Sequence, residues 1–202
     1  MSQELTFTHR FEKGASTSAP LLMLHGTGGD ENDLLPLGRA LSADRSLLSP
    51  RGKVLENGVP RFFRRLAEGV FDEQDVINRA HELADFILAA REKYALAKPV
   101  AVGFSNGANI AAAILLLRPE ALAGAVLLRA MVPLTKTPGA DLEQKRVLLI
   151  SGSSDPIIPA SNAAKLAALL KSANADVQHE TLPTGHNLTQ NDVSIATQWL
   201  NQ

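Results

Sequence analysis

The 202 residues, 45% hydrophobic and 20% charged, have the composition of an ordinary globular domain with a sizeable core. A formal net charge of −1 removes any global pull towards nucleic acid or an anionic membrane. The absence of cysteine excludes disulfides, thiolate metal sites and a cysteine nucleophile.

Met1 to Arg10 lacks the basic-then-apolar order of a signal peptide, and the longest apolar run, Ile110 to Leu117, is too short to span a bilayer. A cytoplasmic protein is the expectation. Leu5 to Phe11 alternates as an edge strand would, with Leu5, Phe7, His9 and Phe11 on one face. Pro20 to Leu24 reads as a buried strand, Asp30 to Ala43 as a helix, and Arg45 to Ser49 as a further strand. Residues 50–71 show no clear period and contain Pro50, Gly52, Gly58, Pro60 and Gly69. They are read as a long excursion over the sheet, and such loops are more often functional than idle. Asp72 to Ala95 carries apolar residues at spacings of three and four, the mark of an amphipathic helix. Pro99 to Val102 predicts a strand and Ala108 to Leu117 a helix. Strands at Leu122 to Met131, Val147 to Ser151 and Asp176 to Leu182 follow, with helices at Ala160 to Ser172 and Thr189 to Leu200. Alternation of strands and helices argues for a mostly parallel sheet with helices on both faces, in one domain over residues 1–202.

Between the strand ending near Val102 and the helix from Ala108 stands Gly103-Phe104-Ser105-Asn106-Gly107. A serine on so tight a strand-to-helix turn needs glycine on both sides, where a Cβ would collide. This G-x-S-x-G resembles the nucleophile elbow of the α/β-hydrolases, in which the acid and then the histidine follow the serine along the chain. Asp155 follows the strand Val147 to Ser151, and His186 follows the strand Asp176 to Leu182. In a parallel sheet both would reach the edge where Ser105 sits. Ser105, Asp155 and His186 are therefore the candidate catalytic residues, although taken singly Asp155 reads as a turn residue and His186 as a loop residue. The oxyanion that forms during acyl transfer needs two backbone N–H donors. Asn106, after the serine, and Thr27, in the loop His25-Gly26-Thr27-Gly28-Gly29, are the candidates. A phosphate cradle at Gly28-Gly29 fits poorly, since no Gly-Lys-Ser/Thr follows and Asp30-Glu31 would repel phosphate. His25 is expected to be a structural hydrogen-bond donor. His81 lies mid-helix without a second histidine, and His9 and His179 carry no special signal.

The excursion is basic, with Arg51, Lys53, Arg61, Arg64 and Arg65 against Glu56, and includes Phe62-Phe63. It reads either as charged surface with two packing phenylalanines or as a partial lid whose arginines attract an anionic substrate. On the second reading Phe62, Phe63, Met131 and Ile157 line the substrate pocket. Arg129, in an otherwise apolar strand, must find a carboxylate or reach solvent. A structural ion pair is favoured over a substrate clamp.

Four blocks together resemble the small phospholipase/carboxylesterase family of α/β-hydrolases: Leu24-His25-Gly26-Thr27-Gly28-Gly29-Asp30, Gly103 to Gly107, Asp155-Pro156-Ile157-Ile158-Pro159 and Gly185-His186. The resemblance implies an α/β-hydrolase fold without a large cap domain and a serine carboxylesterase acting through an acyl-enzyme. Its relatives include lysophospholipases and acyl-protein thioesterases. Eukaryotic thioesterases commonly carry glutamine where this chain has Asn106. With little sequence to build a cap, small or short-chain esters are expected, aryl ones among them. Action on longer acyl chains, as a lysophospholipase or acyl-thioesterase, is the alternative, and a catalytically silent binding protein the remote one. The reading requires no cofactor or metal, takes a small-molecule ester as partner, excludes nucleic acid and membrane insertion, and leaves a homodimer open.

Overall fold

The structure, a computed structural model, describes residues 5–136 and 139–202; the first four residues of the N-terminal stretch read for a leader lie outside them. Seven strands form the main sheet: β1 (His9–Glu12), β2 (Leu21–Leu24), β3 (Leu47–Pro50), β8 (Val100–Phe104), β9 (Gly124–Leu128), β10 (Arg146–Gly152) and β11 (Asp176–Leu182). Their spatial order is β1-β3-β2-β8-β9-β10-β11. All neighbours pair in parallel except β1, which lies antiparallel on β3. The strand order reverses between β2 and β8, so the crevice at that point opens at the carboxyl ends of the strands, where open α/β sheets bind ligands.

Alternation along the strands assigns the helices to faces. Leu22 and Leu24 of β2 point into one core with Ile110 and Ile114 of α3 (Asn106–Leu117), Leu83 and Ile87 of α2 (Glu73–Tyr94) and Leu166 of α4 (Ala160–Ser172). Leu21 and Met23 point the other way, into a core with Leu35 and Leu41 of α1 (Leu35–Leu41) and Trp199 of α5 (Gln190–Leu200). Both faces are covered, which is why the central strands read as continuous apolar runs. No helix among the described residues is long and apolar enough to cross a membrane.

Helix ends follow local chemistry. Asp72 caps α2 by accepting the N–H of Asp75, and Ala95 ends it in the left-handed region at φ 52°. Thr189 and Asp192 form a capping box at the start of α5. The first helix is shorter than the sequence suggests: Pro36 opens it, and Asp30 to Leu34 are held in turns, with the Asp30 carboxylate accepting the Asn32 N–H. β1 is likewise shorter than Leu5 to Phe11. Its alternation is real, since Phe7, His9 and Phe11 share the side facing Phe86 and Tyr94 of α2.

Residues 50–71 are not irregular. They fold into two small hairpins, β4 (Val54–Glu56) with β5 (Val59–Arg61) and β6 (Arg65–Ala67) with β7 (Val70–Phe71). The first turns through Asn57-Gly58, both at positive φ, the pairing that two-residue hairpin loops prefer. Strands of two or three residues are too short to show a period, so composition concealed them.

A methyl group at Gly107 would collide with the carbonyl oxygen of Leu24 and crowd that of His25, whereas one at Gly58 would meet nothing. Gly107→Ala should lower stability by about 3 kcal/mol or more, through overpacking against fixed backbone. Gly58→Ala should cost about 1 kcal/mol, for its positive φ alone. Urea denaturation of the two variants checks the difference.

Candidate active site

The main-chain bend at the end of β8 puts Ser105 at φ 51°, ψ −112°, a conformation that L-residues adopt only under constraint. Its N–H donates to the Leu128 carbonyl of β9 and its carbonyl accepts the Asn109 N–H, so strand and helix both grip the residue. Gly103 and Gly107 make the bend possible: a Cβ on Gly103 would lie 2.5 Å from the Gly107 carbonyl oxygen.

Asp155 and His186 arrive from the ends of β10 and β11. His186 Nε2 lies 3.0 Å from Ser105 Oγ, and His186 Nδ1 lies 2.8 Å from Asp155 Oδ2. The carboxylate is fully buried, and its second oxygen accepts the N–H groups of Ile157 (2.8 Å) and Ile158 (3.0 Å). Burial pushes the Asp155 pKa up. The hydrogen bonds from His186, Ile158 and Ile157 outweigh that push and hold it below the usual carboxylate range. An ionised Asp155 fixes the proton of His186 on Nδ1 and leaves Nε2 to accept the serine proton. The structure thus brings together the serine, acid and histidine from three separate strand ends.

Thr27 lies in the loop after β2, which Gly28 turns at φ 86°. Neither the Thr27 N–H nor the Asn106 N–H donates to a protein acceptor among the described residues, so both remain available to a substrate oxygen. His25 holds this loop in place. Its Nε2 accepts the Gly52 N–H at 2.9 Å, which puts its proton on Nδ1, 2.6 Å from the Gly26 carbonyl. The same loop is tied to the first hairpin by the Gly28 N–H on the Pro60 carbonyl.

A cavity of about 40 Å³ opens beside Ser105, lined by Thr27, Arg61, Arg65, Phe71, Asn106, Asn109 and Met131, with Glu68, Ile157 and Ile158 at its wall. Met131 and Ile157 stand where the sequence reading put them. Phe62 and Phe63 do not: they are 3% and 0% exposed and belong to the core beneath the hairpins. Phe62 packs its ring against His25 in a tilted arrangement and donates its N–H to Asn106 Oδ1. Arg61, Arg65, Phe71 and Asn109 were not singled out as wall residues. For Asn109 the signal was present, because Asn106 and Asn109 are the sole polar side chains in a helix otherwise of glycine, alanine, isoleucine and leucine. Among the described residues no group of three or more His, Asp or Glu could hold a metal ion.

Arg129 is the largest fully buried side chain. It pairs in bidentate fashion with Asp192, at 2.7 and 3.1 Å. The same guanidinium donates to the carbonyls of Gly185 and Asn187, which flank His186, and to that of Ile150. The expected ion pair is therefore also a clamp on the histidine loop.

A seven-stranded sheet of this order with a serine on the turn after its central strand is the α/β-hydrolase fold. The phospholipase/carboxylesterase family model matches residues 11–202, and the chain belongs to that family. It is 44% identical over 193 residues to the Bacillus subtilis protein named "Putative hydrolase MhqD", covering 95% of this chain and 96% of that one. Among solved structures, a Bacillus cereus carboxylesterase superposes with a TM-score of 0.94 at 48% identity, over 97% of this chain and 94% of the other. A carboxylesterase from Mesorhizobium loti gives 0.93 at 31% identity, over 98% and 96%.

Two outcomes follow from the buried groups. Arg129→Met leaves Asp192 buried without a counter-charge and should cost about 3 kcal/mol in urea unfolding at pH 7, whereas a solvated pair would cost under 1. Burial holds the His25 imidazole below its ordinary value of 6.5, opposed by the Gly26 carbonyl and by Asp33, Asp30 and Glu31. The unfolded chain then takes up a proton near pH 6.5 that the folded state resists. Stability is fully present above pH 6.5 and falls as the pH drops below it. The urea midpoint should decline from pH 7 to pH 5, and His25→Gln should flatten the decline. His179, shifted the same way by burial, contributes to what slope remains, as do carboxylates held below their usual range such as Asp155 and Glu82.

Proposed function

We propose that the protein is a serine carboxylesterase for short-chain esters, with Ser105 as nucleophile, His186 as general base and acid, and Asp155 as the group that orients it. The observation that carries this reading is the hydrogen-bond chain from Ser105 Oγ through His186 to buried Asp155. Ser105 Oγ bonds to the ester carbonyl carbon as its proton passes to His186 Nε2. The oxyanion is met by the N–H groups of Thr27 and Asn106. As the tetrahedral adduct collapses, the ester C–O bond breaks and the alcohol leaves with the proton from His186, while the acyl group stays on Ser105. Water then adds to the acyl carbon, giving a proton to His186. The second collapse releases the acid and returns the proton to Ser105.

The cavity size supports short acyl groups. A volume of about 40 Å³ is far below the roughly 300–1,000 Å³ of pockets that enclose drug-sized ligands, which favours a short acyl group. Phe71, Met131 and Ile158 supply its apolar surface.

Ser105→Ala should reduce kcat/KM for p-nitrophenyl butyrate by about 10⁴-fold or more while leaving the melting curve within a degree or so. Full activity in that variant would overturn the assignment. In the unaltered protein acetyl and butyryl esters should exceed the decanoyl ester in kcat/KM; the reverse order would support the long-chain alternative.

A further inference from the structure

Asn106 and Asn109 line the cavity, yet they are 2% and 5% exposed. Each has its oxygen held by a backbone N–H, that of Phe62 for Asn106 (2.8 Å) and that of Met131 for Asn109 (2.7 Å). A backbone N–H can only donate, so each amide can face it only with its oxygen, and the orientation of both NH2 groups is fixed. The Asn106 NH2 is buried with no partner, and the Asn109 NH2 has none among the described residues. A buried donor left unpaired costs about 1–3 kcal/mol, so the Asn106 NH2 marks a place where an acceptor is missing, and the Asn109 NH2 is a second donor at the same cavity.

The rest of the wall adds donors rather than acceptors. Arg61, 3% exposed, donates to Thr27 Oγ1 and to the Phe63 carbonyl. Arg61 and Arg65 share a single carboxylate, that of Glu56, and Glu68 stands exposed at the rim. His186, which must protonate the departing alcohol, does not line this cavity. The alcohol therefore leaves on the other side of Ser105, and the cavity holds the acyl group. Asn109 sits one helical turn beyond Asn106, roughly 4.5 Å along the axis, which is two or three bonds from a carbonyl held at the Asn106 N–H.

Resting on the proposed ester hydrolysis, we propose that Asn106 and Asn109, backed by Arg61 and Arg65, form a subsite for an oxygen acceptor on the acyl chain, two or three bonds from the scissile carbonyl. The preferred substrates are then esters of short oxygen-bearing acids, with an ether, keto or carboxylate oxygen at that position, rather than of simple alkanoic acids.

The test compares ethyl butyrate, ethyl methoxyacetate and monoethyl malonate by pH-stat, each kcat/KM divided by the ester's own hydroxide rate constant. Methoxyacetate differs from butyrate in one oxygen for one methylene, so the ratio isolates the acceptor. An advantage of about tenfold or more for one or both oxygenated esters is expected. An advantage confined to malonate identifies a carboxylate as the acceptor, and one shared with methoxyacetate identifies any oxygen. Asn109→Asp keeps an oxygen for the Met131 N–H but removes the free donor, and should bring the ratio of whichever oxygenated ester is favoured to butyrate down to about one or below. Asn106→Asp makes the same change one turn earlier and replaces it should that variant not fold. Equal corrected rates for the three esters, or a ratio unmoved in a folded Asp variant, would overturn the proposal. Should the protein cleave ethyl butyrate, and Ser105→Ala not, the esterase reading stands even where this one falls.

Discussion

The close passage of α3 over the end of β2 is the constraint from which the rest of the site follows. Gly107 lies so near the Leu24 and His25 carbonyls that no side chain fits between them. That contact fixes how sharply the chain turns after β8 and forces Ser105 into a conformation with positive φ. A conformation of this kind costs about 1–3 kcal/mol and persists only where the surroundings dictate it. Here they do, since β9 binds the Ser105 N–H and the first turn of α3 binds its carbonyl. The same proximity brings the loop after β2, with Thr27, beside the N–H of Asn106.

Two further networks hold the partners of Ser105. Arg129 has left-handed backbone at the end of β9, and its guanidinium reaches the loop on either side of His186 as well as the capping carboxylate of α5. One buried cation thus couples the end of β9, the end of β10, the histidine loop and the last helix. A buried pair of this kind adds little net stability over apolar packing, yet its loss is costly; its value lies in fixing geometry. On the other flank, His25 and Asn106 receive N–H groups from Gly52 and Phe62, so residues 52–71 rest on the loop after β2 and on α3. The excursion forms a wall of the site.

The strands and helices that pack on both faces of the sheet were legible because burial imposes a period. α4 and β11 have the predicted bounds, and α2 differs by its capping residues alone. The hairpins were not legible, as strands of two or three residues carry no period and are fixed by turn geometry at Asn57-Gly58 and by contacts with distant residues. Ser105, Asp155 and His186 could be picked out because each follows a strand, and a parallel sheet gathers strand ends on one edge. The cavity wall could not, because which hairpin residues face Ser105 depends on tertiary docking. Phe62 and Phe63 illustrate the difficulty: aromatic side chains in a loop near a site suggest a pocket, but the hairpins turn them inward to anchor the loop. Arg129 was readable as a cation in need of a partner, while Asp192, far along the chain, was not identifiable as that partner.

The central claim is that Ser105 is the nucleophile and acts through His186. A second serine–histidine contact, Ser151 Oγ to His179 Nε2 at 2.9 Å, serves as an internal contrast, since Ser151 is buried within β10 rather than set on a strand-to-helix turn. The most direct measurement is reaction with a fluorophosphonate followed by intact-mass and peptide mass spectrometry. One adduct per chain, on the peptide containing Ser105, is the predicted result. No adduct on the folded protein, or an adduct on another serine such as Ser151, would contradict the account.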